Sequence, residues 1–400
     1  MGPSNDAAPR RLVGPDGLTG IVEELDRAGY EVWGPAVRDG VIVTRRLGGG
    51  DRLPVGYIAD QSPGSSRLVD VGDRSRFGWA VGPQPWKPLL HPPSVVTMRL
   101  SQPERDQPVT VTLPGQPPQR LALFGMRPCD LAALETLDHV LLDAPPSAEP
   151  TYRARRADAF LVAVNCGTPA STCACVSFGT GPHVGATRAH DLEITELVGA
   201  DSECEPDYVV TAISERGASV LARVAERVPT SEVGDEYSAA VAAQRANASA
   251  AIERGVPADR TRGVLASGHD LERWNEIAEH CVACGNCTAV CPTCFCTTVN
   301  DVGDLSGTHV ERRREWESCF SLEFSRLGDR PVRSSVAARY RQWMTHKLAA
   351  WEDQFGMSGC VGCGRCITWC PAGIDITEEV AAIAASPRHA PARPADEERT

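Results

Sequence analysis

The pattern of apolar and polar positions in the first 260 residues predicts a mixture of strands and helices. An amphipathic helix is expected over residues 16–28, because apolar side chains recur there at helical spacing: Leu18, Ile21, Val22 and Leu25. Strand-like runs follow at 30–33 and 41–44, within 95–126, and at 159–164. Residues 1–15, which hold Gly, Pro, Ser and Asn, are predicted to be a flexible tail.

Helices are expected between these strands. The segment after Cys129 and Asp130 has a helical pattern, and Asp130 near its start complements the helix dipole. An Ala-rich helix is predicted over about 233–254. The proline-dense run at 81–94 is predicted to be an ordered loop rather than a helix or a central strand. Alternation of this kind indicates a mixed α/β domain over residues 16–260.

The character of the chain changes at about residue 267. Residues 269–280 and 335–354 have helical patterns, and Thr377 is predicted to cap a last helix. A second, mainly helical domain is therefore expected over residues 267–385, which makes the predicted fold class α+β. Residues 386–400 are predicted to be a disordered tail.

Charge and hydropathy exclude some classes of partner. The 400 residues contain 40 Lys and Arg against 52 Asp and Glu, a net charge of -12, which argues against nucleic acid as the main partner. No apolar run approaches 18 residues, so no membrane-spanning helix is expected. Arg10-Arg11 is followed by an acidic amphipathic segment rather than the apolar core of an export signal. The expected location is the cytoplasm.

Two cysteine-rich stretches are the most informative part of the sequence. Residues 281–296 read CVACGNCTAVCPTCFC, and residues 360–371 read CVGCGRCITWCP. Each contains the spacing C-x2-C-x2-C-x3-C-P, which bacterial ferredoxins use for [4Fe–4S] clusters, with the fourth cysteine ligating the other cluster. Two clusters are predicted, and the second domain becomes ferredoxin-type. The ligands are Cys281, Cys284, Cys287 and Cys370 for the first cluster, and Cys360, Cys363, Cys366 and Cys291 for the second.

Zinc and disulfides explain these stretches less well. Structural zinc sites usually consist of C-x2-C pairs with four ligands per ion, whereas here two full quartets each end in Cys-Pro. Disulfides are unexpected in a chain without a secretion signal. The quartets lie 68 residues apart, farther than in a minimal ferredoxin, so the domain is either an expanded helical one or a ferredoxin core with an insertion.

The remaining cysteines leave a third site open. Four of them follow apolar strands, where an α/β domain gathers its functional loops: Cys129, Cys166, Cys173 and Cys175. They bind a third iron–sulfur cluster or are structural thiols, and their spacing matches no standard motif. Packing near the quartets is the favoured role of three others, Cys294, Cys296 and Cys319.

Several phrases of the sequence resemble one known family. They are CGNCTAVCPTCFC, EWESCFSLEF, RYRQWMTHKL and FGMSGCVGCGRCITWCPAGIDI, together with GMRPCDLAAL and NCGTPASTCACVSFGTGP nearer the start. The chain resembles the 4Fe-4S dicluster family that contains the β subunit of cytosolic [NiFe] hydrogenases (sulfhydrogenases) and the iron–sulfur subunit of anaerobic sulfite reductases. The likeness covers most of residues 16–385. Ala174 is a departure, since an aromatic residue is expected there.

The resemblance implies an electron-transfer role and carries the family's cluster ligands over to the eight quartet cysteines. Such subunits relay single electrons between a catalytic partner and a flavin subunit that handles NAD(P)H. That partner is either the small and large subunits of a [NiFe] hydrogenase, the expected branch, or a siroheme sulfite reductase subunit. No flavin or nucleotide loop is found in the sequence, which favours a non-catalytic subunit.

Two other classes of function stay open. One is a stand-alone ferredoxin-like electron carrier, although a domain of about 260 residues is more than a simple carrier needs. The other is an enzyme whose active site is formed by the N-terminal cysteines.

Overall fold

The computed structural model describes residues 8–48, 51–104, 106–115, 119–143, 149–185, 188–199, 201 and 203–386. The strands within these residues are β1 (Arg10–Val13), β2 (Glu31–Arg38), β3 (Val41–Arg46), β4 (Tyr57–Ser62), β5 (Ser65–Asp70), β6 (Ser94–Ser101), β7 (Thr110–Thr112), β8 (Leu121–Met126), β9 (Phe160–Val164), β10 (Leu192–Leu197), β11 (Asp207–Ala212), β12 (Thr230–Ser231), β13 (Thr297–Gly303), β14 (His309–Trp316), β15 (Arg326–Leu327) and β16 (Arg330–Pro331).

Helices connect and cover these strands. They are α1 (Pro15–Arg27), α2 (Lys87–Leu90), α3 (Pro128–Asp138), α4 (Pro150–Ala157), α5 (Glu215–Ala225), α6 (Asp235–Ala250), α7 (Ala258–Ser267), α8 (Arg273–His280), α9 (Asn286–Ala289), α10 (Val336–Thr345), α11 (Trp351–Phe355), α12 (Arg365–Thr368) and α13 (Ile376–Ala384). A π-helical segment extends α3 over His139–Asp143, and another joins α10 to α11 over His346–Ala350. The α+β class is confirmed.

The largest sheet has eight strands in the order β12-β1-β11-β10-β9-β8-β2-β3. Its centre is parallel, because β10, β9, β8 and β2 run in one direction, and antiparallel strands flank this centre on both sides. Strands β8 and β9 are buried along their whole length, as expected for parallel strands covered on both faces.

Side chains of β9 alternate between the two sides of this sheet. Phe160, Val162 and Val164 pack in the core beneath α1 and α5, whereas Leu161 and Ala163 pack on the opposite side with α3. Because β8 and β9 are parallel neighbours, they end at the same edge of the sheet. Cys129 and Cys166 lie in the segments that directly follow these two ends.

A second sheet has the order β13-β14-β6-β7. Strand β14, which lies between the two cysteine quartets, pairs antiparallel with β6 from the first hundred residues. The sheet thus ties the region between the quartets to the N-terminal part of the chain. Strands β13 to β16 were not predicted from the sequence. They lie in the segment between the quartets, and an insertion there was one of the two explanations expected for the quartet spacing.

The predicted flexible tail over residues 1–15 is wrong for its last part. Arg10–Val13 form β1, which hydrogen-bonds to β11 on one side and to β12 on the other. Val13 is buried, so even a four-residue strand gains a place in the core. Residues 1–7 lie outside the described residues, as do residues 387–400 of the predicted C-terminal tail.

Two smaller expectations are also corrected. The proline-dense run at 81–94 contains one helical turn, α2, because proline is tolerated in the first turn, where no helical amide bond is lost. The cap of α13 is Asp375 rather than Thr377: the Asp375 carboxylate accepts from the Thr377 amide at 2.9 Å. Among the described residues, no helix has the length and apolar character needed to cross a membrane.

Helix α10 forms the apolar wall behind the cysteine loops and begins at a well-formed cap. The Ser335 hydroxyl accepts from the Ala338 amide at 3.1 Å, while Tyr340, Trp343 and Met344 are buried. Loss of such a cap costs about 1 kcal/mol. We therefore expect Ser335→Ala to lower the free energy of unfolding by about that amount.

Anaerobic chemical unfolding, followed by far-UV circular dichroism, measures this change. Ser334→Ala is the matched control, because it removes the neighbouring exposed hydroxyl and keeps the cap. Equal unfolding midpoints for the two variants would contradict the assigned cap.

Candidate metal centres

The two cysteine runs fold as two copies of one loop. Ala283 and Gly285 in the first loop have positive φ angles of 52° and 74°, and Gly362 and Gly364 occupy the equivalent positions of the second with 61° and 75°. Each pair leads into a single helical turn, α9 or α12, that carries the third cysteine of its run. Positive φ lets a short loop curl so that successive cysteines point inward.

The second loop is pressed against the N-terminal part of the chain. A Cβ atom on Gly362 would lie 2.6 Å from the backbone of Ala174, and one on Gly364 would lie 2.5 Å from the Thr172 carbonyl oxygen. The Ala174 amide donates to the Gly362 carbonyl at 2.8 Å. Glycine is required at both positions for φ and for this close approach.

The first cavity brings together the first predicted quartet. Cys281, Cys284, Cys287 and Cys370 line a cavity of about 30 Å³, and Cys366 also reaches it. Its other walls are mostly apolar and include Phe320, Tyr340, Trp343, Ile374 and Ile376. Cys284 is exposed, so this centre lies near the protein surface.

The second cavity brings together the second predicted quartet. Cys291, Cys360, Cys363 and Cys366 line a cavity of about 30 Å³, with Val361, Leu348 and Ile367 among its apolar walls. The fourth cysteine of each run lies beside the loop of the other run, which is the crossed arrangement predicted from the spacing. Cys366 lines both cavities, so the two centres are neighbours.

The donor set fits iron–sulfur clusters better than single ions. Within the described residues, no group of three or more His, Cys, Asp or Glu side chains could hold a metal ion. A cluster places its four thiolates on separate irons and therefore needs a wider arrangement than the tetrahedron around one zinc ion. The Gly362 amide donates to the Cys360 sulfur at 3.4 Å, a type of bond that tunes cluster potential. Burial raises the pKa of Cys360 to about 12, so metal binding must deprotonate this thiol.

Two lysines lie beside Cys291 and Cys294, and lysine occurs nowhere else in the sequence. Lys347 donates to Thr293 Oγ1 at 2.8 Å and to the Gly359 carbonyl at 3.2 Å. Lys87 donates to the carbonyls of Cys291 and Cys294 at 3.1 and 2.9 Å. Both ammonium groups are buried. They therefore place positive charge beside the second cavity, where an anionic cluster would need it.

Cys294 also acts on Cys291. A hydrogen bond from the Cys294 thiol lowers the pKa of Cys291, and the Lys347 ammonium acts in the same direction. Cys294 lies outside both cavity walls and is a neighbour of a quartet cysteine, as the packing role predicted from the sequence requires.

The two lysines were missed in the sequence analysis. Their rarity was the available signal: the other cationic side chains of the 40 Lys and Arg residues are all arginine. In a chain whose other cationic residues are arginine, a lysine indicates a need for a compact point charge rather than a planar guanidinium group.

The four N-terminal cysteines line one cavity of about 20 Å³, together with Cys363 of the second quartet. The structure therefore gathers Cys129, Cys166, Cys173 and Cys175, which the sequence suggested only as a possible group. Cys204 is exposed and lies elsewhere.

A buried ion pair joins this region to the second cysteine loop. Arg365 of α12 lies 2.9 Å from Asp130 of α3, and both side chains are almost completely buried. The Arg365 Nε also donates to the Gly82 carbonyl at 2.9 Å. Three segments that are distant in sequence therefore meet at one guanidinium group.

Comparison with known proteins gives two matches. Residues 280–374 match the family model described as a 4Fe-4S dicluster domain. Over 258 residues, the chain is 30% identical to sulfhydrogenase 2 subunit beta of Pyrococcus furiosus, and the alignment covers 64% of this chain and 72% of that protein. Both matches confirm the resemblance found in the sequence.

Proposed function

The chain belongs to the 4Fe-4S dicluster family of sulfhydrogenase beta subunits, and we propose that it relays single electrons between a [NiFe] hydrogenase and a flavin subunit. The family membership makes the chain an iron–sulfur electron-transfer protein with two [4Fe–4S] clusters. The flavin subunit binds NAD(P)H, and the hydrogenase consists of small and large subunits. The observation that carries the proposal is the pair of adjacent cysteine-lined cavities that share Cys366.

The first cluster is held by Cys281, Cys284, Cys287 and Cys370, and the second by Cys360, Cys363, Cys366 and Cys291. Each cluster, when bound, supplies a one-electron couple. The protein excludes water from this couple with the apolar walls formed by Trp343 and Ile376, which line both cavities. Electron transfer of this kind needs no proton donor or nucleophile in the chain.

The surface near the first cluster is suited to contact with a partner. Cys284 is exposed. Three apolar side chains near the cavity in sequence are exposed as well: Val282 in the first cysteine loop, and Leu322 and Phe324 just after Phe320 of the cavity wall. Exposed apolar side chains beside a redox centre indicate a place where an electron can enter or leave. A [NiFe] hydrogenase or a flavin subunit would dock here.

Cofactor analysis of the complex tests this function. The tagged full chain is purified anaerobically from its native host, and nickel, flavin, siroheme and iron are measured in the material that elutes with it. We expect nickel and flavin in near-stoichiometric amounts. The matched control is the same preparation from a strain in which the chain carries no tag.

The other outcomes replace the proposed partner. Siroheme with flavin and no nickel would identify a sulfite reductase complex and overturn the hydrogenase assignment. Iron alone, with the chain eluting as a monomer, would leave a stand-alone carrier.

A further inference from the structure

The three cysteine-lined cavities are connected one after another through shared residues. The first two cavities share Cys366, Trp343 and Ile376, and the second cavity shares Cys363 with the cavity of the N-terminal cysteines, the N-terminal cavity. Within the described residues, the N-terminal cavity shares no lining residue with the first cavity, to which exposed Cys284 belongs.

The fold brings the N-terminal cysteines together from separate segments. Cys129 lies in the first turn of α3, just after β8, and Cys166 follows β9, its parallel neighbour. Because parallel neighbours end at the same edge, their following segments meet. Cys173 and Cys175 reach the same place in the loop that packs on Gly362.

Two buried arginines lie beside this cavity with N–H groups that meet no nitrogen or oxygen acceptor. Arg127 is 1% exposed, its Nη atoms donate to the carbonyls of Phe77, Trp79 and Asn165, and its Nε has no such partner. The positive charge of Arg127 acts both on the buried Glu196 carboxylate and on Cys166. The Nη1 of Arg365 is also unpartnered, and its charge acts on Cys129 and Cys363.

Arg365 is paired with Asp130 and Arg127 interacts with Glu196, but each guanidinium group keeps one buried N–H without an acceptor, and buried donors without partners are costly. Four neutral thiols do not supply a strong acceptor for these N–H groups. Four thiolates on a cluster do, because a [4Fe–4S] core with four cysteine ligands is an anion.

Zinc and a reactive thiol fit the site less well. The described residues contain no group that could hold a single ion, and this holds equally for both quartets of the dicluster domain. A reactive thiol needs one activated sulfur, whereas four thiols converge here on one cavity.

We propose that Cys129, Cys166, Cys173 and Cys175 bind a third [4Fe–4S] cluster, which exchanges electrons with the second cluster past Cys363. One electron moves in each exchange: the cluster at Cys363 is oxidised by one electron, and the cluster at the N-terminal cysteines is reduced by one. No proton or bond is transferred. The relay part of this inference rests on the proposed function, whereas the metal site does not.

Iron and sulfide analysis of the full chain tests the third cluster. The chain is reconstituted anaerobically with iron and sulfide, and desalted. We expect about twelve iron atoms and twelve sulfides per chain, and about eight of each in the double variant Cys173→Ala/Cys175→Ala, a loss of one third. Cys204→Ala, which removes an exposed thiol outside the cavity, is the matched control and keeps the wild-type content.

Electron paramagnetic resonance gives a second readout. Full reduction of the wild-type chain is expected to yield three spins per chain, and the double variant two. The wild-type count also decides the question if the double variant does not fold. About eight irons in the wild type, with or without one zinc, would overturn the proposal, and so would an unchanged iron content in the folded double variant.

This test is independent of the partner assignment. A wild-type chain with about eight irons that still purifies with nickel and flavin removes the third cluster and leaves the proposed function intact. Twelve irons without any partner remove the hydrogenase assignment and leave the third cluster.

Discussion

Replacement of Arg365 by methionine is expected to lower the free energy of unfolding by about 3–5 kcal/mol, since one partner of a buried pair then remains as an uncompensated charge. Asp130, 2.9 Å from Arg365, would stay buried with the Arg127 amide as a weak partner at 3.2 Å. The Gly82 carbonyl would also lose its donor. Anaerobic chemical unfolding, followed by circular dichroism and by cluster absorbance, measures the loss.

A double variant separates the charge from the packing. Asp130→Leu/Arg365→Met removes both charges and should recover much of the lost stability, because apolar replacement of a whole buried pair is often neutral or stabilising. Arg38→Met is the matched control, because Arg38 pairs with Asp39 at the surface and the change should have little effect. A single Arg365→Met variant as stable as Arg38→Met would contradict the role of the pair.

The second large effect is expected on a reduction potential. Lys347→Met should lower the potential of the cluster beside Cys291 and Cys360, because the buried ammonium group favours the added electron. A unit charge several ångströms from a cluster contributes on the order of 2 kcal/mol at an effective dielectric constant of about 20. For a one-electron couple, this corresponds to a shift of about 90 mV.

Redox titration of the full chain, followed by electron paramagnetic resonance, measures this shift. Methionine fills nearly the same space as lysine, and Leu348→Met serves as the matched control, because Leu348 lines the same cavity without a charge. The cluster at Cys281 and Cys284 provides an internal reference, since it lies one cavity farther from Lys347. Equal potentials in both variants would show that the lysine charge does not act on the cluster.

The sequence was sufficient where the chemistry is local. Each quartet occupies a short run whose spacing has one established use, and the crossing of Cys291 and Cys370 follows from the same motif. The helix over 16–28 and the strand over 159–164 were likewise predictable, because their apolar side chains repeat at the helical period or form a short continuous run.

The sequence was insufficient where contacts are distant. Cys129 and Cys175 meet only because β8 and β9 are parallel neighbours and because glycines let two loops touch, and neither fact is visible as spacing. Likewise, β1 is too short to show a repeating pattern of apolar side chains, and the strand it pairs with, β11, lies about 200 residues away in the sequence. Lys87 and Lys347 could be noticed by their rarity, but only the structure shows that both reach Cys294 or its neighbours.

Strand β14 completes one edge of β6, an eight-residue strand that otherwise pairs only with three-residue β7 among the described residues. A fragment that ends before residue 309 would expose that edge, and open edges recruit strands from other molecules. Moving the cluster loops alone into another protein would therefore leave β6 of this chain with an open, aggregation-prone edge. The recipient protein would carry the loops without the sheet that supports them. The cluster loops, the sheet that anchors them and the N-terminal part of the chain are therefore one structural unit.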